Sequence, residues 1–285
     1  MTEYPEKLPP QEQQWPGTEA ELDPPADHGE TSWTGRDRLT GKRALITGGD
    51  SGIGRAVAVA FAKEGADVFI AHLPQEADDA AETVRLVEAQ GRRGFHHETD
   101  LRTAQANRDL AERAVAELGG VDVLVCNAAF QMTHEALAEF PPEQIERTFA
   151  TNVFGPFWLV QALAPHLEDG GSVIVTTSIQ AYSPSDHLID YAATKAALNN
   201  LVVNLAQELG SKGTRVNAVA PGPIWTPLIP ATMPPENIES FGTTTPLGRP
   251  GQPVEVAAAY VFLASDEASY VSATVVGVTG GEPVF

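Results

Sequence analysis

RALITGGDSGIGRAVAVAFAKEG, Arg43 to Gly65, is the stretch that decides the fold. RALITG opens as an apolar run without polar alternation, the pattern of a strand covered on both faces. From Gly52 onward, apolar residues recur at the spacing of a buried helix. Between strand and helix, Gly48, Gly52 and Gly54 remove Cβ atoms where a tight turn and a pyrophosphate must fit, with Asp50, Ser51 and Ile53 completing the turn. A helix that starts there directs free N–H groups and the positive end of its dipole at phosphates. The strand before and the helix after separate this turn from an ordinary glycine-rich loop.

The same alternation continues down the chain. DVFIAHL, GFHHETD, VDVLVCNAA, SVIVTTS, TRVNAVAPG and ATVVGVTG read as strands, each separated from the next by a helical pattern. The segment after VDVLVCNAA reads as one long helix through Asn152 and Phe157, with Pro165 near its end. Strand–helix alternation with right-handed crossovers predicts one doubly wound α/β Rossmann domain over residues 41–285. Its seven-stranded sheet is expected to be mostly or wholly parallel, with helices on both faces. Residues 1–40 are rich in proline and acidic side chains and cannot build a core of their own. Trp15 and Trp33 within them predict an extended arm anchored on its own domain or on a neighbouring subunit.

Over 285 residues the formal charge is −20 and the pI near 4.6, which disfavours nucleic acid and anionic membrane as partners. No apolar run is long enough to cross a bilayer and the N-terminus does not read as a signal peptide, so the cytoplasm is the expected compartment. A single cysteine, Cys126, rules out an internal disulfide framework and a cysteine zinc cluster, and reads as a buried core thiol. No metal site is expected, and His187 has no partner set for metal or nucleophilic chemistry.

YAATK, Tyr191 to Lys195, places an ammonium one helical turn behind a phenol. A free phenol has a pKa of about 10. A unit charge about 4 Å away is worth roughly 4 kcal/mol at an effective dielectric near 20, enough in principle to make that phenol a usable acid or base near pH 7.

The spacing T-G-x-x-x-G-x-G from Thr47 to Gly54 resembles the short-chain dehydrogenase/reductase family, and other elements fall in the family's order. Asp100-Leu101 follows the third strand, Asn127-Ala128-Ala129 the fourth, and Asn152 lies in the next helix. Ser178 ends the fifth strand, Tyr191 comes thirteen residues later, and Pro221-Gly222 closes the sixth. The resemblance spans Gly41 to Gly281, and the acidic arm before it looks like a bacterial subgroup of these oxidoreductases with poorly defined substrates.

That resemblance implies an NAD(P) cofactor and hydride transfer to or from a small alcohol, aldehyde, ketone or polyol. It implies Tyr191 as general acid or base, with Lys195 lowering its pKa and binding the nicotinamide ribose. Ser178 would polarise the substrate oxygen and Asn152 would hold a water on a proton path. Asp100 and Leu101 would hold the adenine, Asn127, Ala128 and Ala129 the ribose and sheet edge, and Ile224 and Thr226 the carboxamide. Asp100 could instead cap a helix, and Asn127 could tie strands together, with or without binding. The Y-x-x-x-K gap argues against the enoyl-reductase branch, and the intact glycine turn against the halohydrin-lyase relatives.

Ala129 stands where the family usually has glycine, and a positive φ there would strain the turn. His72 occupies the family's cofactor selector position, Leu73 stands where an arginine would mark NADP, and Asp50 would repel a 2′-phosphate; together these favour NAD. Residues 223–247 are expected to form a substrate loop, with Phe130, Gln131, Gln180, Tyr182 and His187 as further candidate pocket residues. VEVAAAYVFLA and ATVVGVTGGEPVF are apolar enough for a homotetramer or homodimer interface, although a monomeric core would use such residues too. The alternative to an enzyme is a cofactor-binding regulatory or stress protein of the same fold with little turnover.

Overall fold

Strand β1, Arg43–Thr47, is buried from Ala44 onward and pairs in parallel with a strand on each side. The computed structural model describes residues 7–285 and carries the alternation through to the end. After β1 come α1 (Gly52–Lys63), β2 (Asp67–His72), α2 (Ala77–Glu88), β3 (Gly94–Glu98), α3 (Ala104–Leu118) and β4 (Val121–Cys126). Helices α4 (Pro142–Phe149) and α5 (Gly155–Leu163) lead to β5 (Leu167–Thr176), α6 (Ile189–Leu209) and β6 (Arg215–Pro221). Short helices α7 (Leu228–Thr232) and α8 (Pro235–Ile238), then α9 (Pro253–Ala264) and β7 (Val275–Val278), complete the order.

The sheet has seven strands in the order β3-β2-β1-β4-β5-β6-β7, every pair parallel. Strand order reverses between β1 and β4. Their carboxyl ends carry the glycine turn and Asn127, which places both at the crevice where such sheets bind ligands. One core layer packs Phe61 of α1, Val87 of α2 and Tyr260 of α9 on one face of the sheet. The other packs Leu110 of α3, Leu159 of α5 and Val202 of α6 on the opposite face.

Two details differ from the sequence reading. The helix expected through Asn152 and Phe157 is interrupted by a π-helical turn, Ala150–Phe154, which separates α4 from α5. Strand β5 begins at Leu167, ahead of the apolar SVIVTTS run, and its pairing with β4 shifts register between Val121 and Val123. The apolar residues of α9 serve the monomer core, one of the two uses left open for them: Val256, Ala257, Tyr260 and Val261 are buried on the α1 side. On the α5 side, Phe154 and Phe157 are each 47% exposed.

Residues 7–40 run over the domain surface in extended and turn conformations, with one 3-10 turn at Glu19–Glu21. Leu8 and Leu22 join Trp225, Ile229 and Ile238 in a third hydrophobic cluster separate from the two sheet cores. Further along, the Trp33 indole donates to Glu64 Oε1 at 3.1 Å. The fully buried Glu64 carboxylate also accepts from the Arg36 and Arg38 backbone N–H groups and from the Arg38 guanidinium at 2.7 Å. These bonds fix the end of the arm to the C-terminal end of α1.

Candidate active site

A single cleft of about 850 Å³ runs along the carboxyl edge of the sheet, from the β2 end past the glycine turn to α6 and the loop after β6. Most of the residues anticipated from the sequence line it. Gly48, Asp50, Ser51, Gly52 and Ile53 come from the turn, and His72, Asp100 and Leu101 from the ends of β2 and β3. Asn127, Ala128 and Ala129 follow β4, while Ser178, Tyr191, Lys195, Pro221, Gly222, Ile224 and Thr226 close the other end. Gly54 and Asn152 are behind the lining, and Tyr182 is outside it.

Gly54 is where the turn needs its missing side chain most. A Cβ there would collide with the Gly48 carbonyl and sit 2.8 Å from Asn127 Nδ2. Gly48 itself has φ +61°, with the Ala128 backbone packed close beside it. The turn therefore presses against the β4 end, leaving its backbone exposed to the cleft as a pyrophosphate cradle requires. Asn127 holds that contact, donating through Nδ2 to Gly48 O at 3.0 Å and accepting from the Thr176 hydroxyl at 3.2 Å. It ties three strand ends together and lines the cleft as well. Ala129 does not have a positive φ, so its methyl causes no backbone strain.

The Lys195 ammonium lies over the Tyr191 ring, 5.2 Å from the centroid, and donates to Thr176 O at 2.8 Å. Both side chains come off α6 at the i, i+4 spacing that brings them to one face. Burial pushes the Tyr191 phenol up to about 12, although the Ser178 hydroxyl hydrogen-bonded to it acts in the other direction. Burial pulls Lys195 down to about 7. In the protein alone, loss of hydration therefore outweighs the charge effect anticipated from the YAATK spacing. Lowering the phenol pKa requires a further positive charge beside it.

Asn152 sits in the π-helical turn with its amide occupied. Its Oδ1 accepts from Phe130 N–H at 2.7 Å, and its Nδ2 donates to Phe130 O at 2.9 Å and to Thr194 Oγ1 at 3.1 Å. The side chain clamps the post-β4 segment to α6, next to Lys195. Asp100 does not cap α3, whose N-cap is Thr103. Its carboxylate pairs with Arg102 at the cleft edge.

The β2 end is more acidic than the sequence suggested. Asp50 is 1% exposed, and its carboxyl oxygens bond to no other element. Burial, with the Asp79 charge nearby, raises its pKa to about 6. Glu76, in the short turn after β2, also lines the cleft; burial and the Asp50 charge raise it to about 8. Its Oε2 accepts from Leu73 N–H at 2.7 Å. His72 bonds through Nδ1 to Leu73 O and through Nε2 to His96, so its ring is already engaged at both nitrogens. Glu76 was missed in the sequence because it follows the selector position by four residues, inside an unremarkable turn.

Like Glu76, Trp15 and Arg147 line the site without having been anticipated. Trp15 reaches it from the arm and Arg147 from α4. The Arg147 guanidinium is sandwiched 4.0 Å from the Trp15 ring centroid and 4.1 Å from that of Phe130. The loop after β6 contributes Leu228, Ile229, Met233 and Phe241. Cys126 is buried, and desolvation raises its thiol pKa to about 12. Among the described residues, no cluster of histidine, cysteine or acidic side chains is arranged to hold a metal, and no helix is long and apolar enough to cross a membrane.

A parallel sheet with a glycine-turn cleft at its switch point and a Ser–Tyr–Lys group beside it defines a dinucleotide-dependent oxidoreductase. The chain matches the family model described as enoyl-(acyl carrier protein) reductase over residues 48–282. It is 50% identical to the uncharacterized oxidoreductase YhxD of Bacillus subtilis, across 98% of this chain and 94% of that one. With the glucose and ribitol dehydrogenase of Daucus carota it shares 41% identity, across 96% and 97% of the two chains. A solved short chain dehydrogenase from Burkholderia cenocepacia in complex with NADP superimposes with a TM-score of 0.81 at 35% identity, covering 86% of this chain and 98% of that one. The chain belongs to the short-chain dehydrogenase/reductase family.

Proposed function

We propose that this protein transfers a hydride between a nicotinamide dinucleotide and a small alcohol or carbonyl compound, with Tyr191 as general acid or base. The observation that carries this reading is the convergence of Ser178, Tyr191 and Lys195 at one end of a cleft whose other end is the glycine turn. Bound nicotinamide supplies the hydride acceptor or donor, and in its oxidised form a positive charge. Tyr191 takes the hydroxyl proton during oxidation and returns it during reduction. Ser178 donates to the substrate oxygen and holds it against the phenol. Lys195 favours the phenolate and binds the nicotinamide ribose. Asn152 supports the proton path by fixing the Phe130 segment beside α6. The i, i+4 Tyr–Lys spacing favours C=O over C=C reduction, despite the description of the matching family model.

NAD is proposed as the preferred cofactor. Asp50 and Glu76 at the β2 end accept hydrogen bonds from ribose hydroxyls and, when ionised, repel a 2′-phosphate, while the nearby Arg55 is already engaged by Asp50 O and Asp79. The mixed lining of the substrate end, with Gln131, Gln180, Met233 and Phe241, suits a polyol, aldehyde or ketone, and the name of the carrot relative favours a polyhydroxylated substrate. A homotetramer or homodimer is proposed from the exposed Phe154 and Phe157, and light scattering tests it.

The deciding experiment is a panel of alcohols, polyols, aldehydes and ketones assayed with NAD(H) and NADP(H) at the nicotinamide absorbance. Turnover of one class with a preference for NAD supports the assignment. Dinucleotide binding without turnover across the panel would replace it with the regulatory alternative.

A further inference from the structure

The arm touches both halves of the site through buried groups. Glu19 Oε1 accepts from the Gly52 N–H at 2.6 Å, in the middle of the glycine turn. Glu19 approaches from outside, because its side chain does not line the cleft, whereas Ser51, Gly52 and Ile53 do. The carboxylate is 8% exposed and bonded to His28 Nε2 at 2.8 Å, and His28 is bonded in turn to Glu30. Glu19 N–H donates to Asp79 Oδ2. Asp79 also receives Arg55, whose Nε donates to Asp50 O within the turn. One polar network thus joins the arm, α1, α2 and the turn.

The second set of contacts is with the substrate loop. Leu8 and Leu22 pack on Trp225, Ile229 and Ile238. The fully buried Trp225 donates its indole N–H to Pro24 O at 2.8 Å, and Gln13 N–H donates to Pro230 O at 2.9 Å. Between the two sets, Trp15 stands in the cleft wall against Phe130 and Arg147.

We propose that residues 8–30 are a brace of the active site, with Glu19 as a positioning residue that sets the dinucleotide turn and Leu22 as the residue that holds the substrate loop against it. This rests on the reading of the glycine turn as the cofactor site. A carboxylate at a helix N-terminus stabilises that end and fixes its N–H groups in place. Gly52 has φ +49°, a conformation with little intrinsic preference, so an external acceptor on its N–H selects one geometry of the turn. The neighbouring N–H groups then face the cleft already oriented for a phosphate.

NADH is the probe, titrated by its fluorescence into the full-length protein and into Glu19→Ala, Glu19→Gln and Leu22→Asp. Glu19→Ala is expected to raise the NADH Kd about tenfold. Glu19→Gln keeps an acceptor for Gly52 and is expected to stay within about threefold of the parent, a rescue that general destabilisation would not produce. Leu22→Asp is expected to leave the Kd within about threefold while residues 223–247 become cleavable by thermolysin at saturating NADH. An unchanged or tighter Kd in Glu19→Ala, with the loop still protected in Leu22→Asp, overturns the brace. Absence of NADH binding to the parent protein itself would instead overturn the cofactor reading, and the brace with it.

Discussion

Lys195 holds its ammonium over the face of the Tyr191 ring while hydrogen-bonding the Thr176 carbonyl at the end of β5. The lysine is thus anchored to the sheet and the phenol to the helix, so their separation is set by how α6 packs on β5 and β6. Replacing Tyr191 with Phe is expected to lower kcat by about 10³-fold or more, within the range that general acid–base groups contribute. The NADH Kd should change little, because the ring remains. Steady-state assays beside a fluorescence titration check both.

Lys195→Met tests the cost of that anchoring. Burial lowers the lysine from 10.5 to about 7. Between these values the unfolded chain binds a proton that the folded protein has released, so stability rises with pH across the window. Below pH 7 the whole cost of burying the charge is present. Lys195→Met is therefore expected to be more stable than the parent at pH 6 by a few kcal/mol (~1.4 per pKa unit) and so to melt higher. The advantage should shrink towards pH 10.5 while turnover is lost throughout. Thermal melts at pH 6, 8 and 10 would show the trend.

Cofactor choice should follow the acidic pair. Glu76→Gln and Asp50→Asn are each expected to raise the kcat/KM ratio of NADP over NAD, by about tenfold, by removing repulsion from a 2′-phosphate. With burial holding Asp50 near 6 and Glu76 near 8, both are protonated at low pH and both ionised above 8. Discrimination against NADP should therefore strengthen from pH 6 to pH 9. A pH series of kcat/KM with both cofactors measures it.

Glu64 gathers the end of the arm. Burial raises its pKa, but Arg38 and two backbone N–H groups outweigh that and hold it at about 2, below the ordinary 4.5. The resulting stability is complete above pH 4.5 and lost as pH falls through about 2. Glu64→Gln is expected to cost about 3 kcal/mol near neutrality and almost nothing near pH 2. Denaturant titrations at the two pH values give the comparison.

The doubly wound sheet was readable because its signals are local: strands without polar alternation, and three glycines between a strand and a helix. Ser178, Tyr191 and Lys195 were readable for the same reason, since their spacing is carried within one strand end and one helix. The π-helical turn at Asn152 was not, because a change to i→i+5 bonding adds a residue without altering composition. Nor was the engagement of Glu19, Leu8 and Leu22, whose partners lie far along the chain and respond to tertiary packing alone. The YAATK spacing brings Tyr191 and Lys195 together, but charge alone does not set their pKa values, because desolvation dominates both groups.

The cluster of Leu8, Leu22, Trp225, Ile229 and Ile238 joins stretches some two hundred residues apart, as in the Trp225–Pro24 bond. Closing a loop of that length costs roughly 5 kcal/mol in chain entropy, so this junction is expected to form after the sheet has brought its ends near each other. During synthesis Leu8 and Leu22 emerge some two hundred residues before Trp225 and must wait for it before they find cover. A chain that stalls before residue 225 is thus expected to carry these leucines uncovered, as adhesive surface.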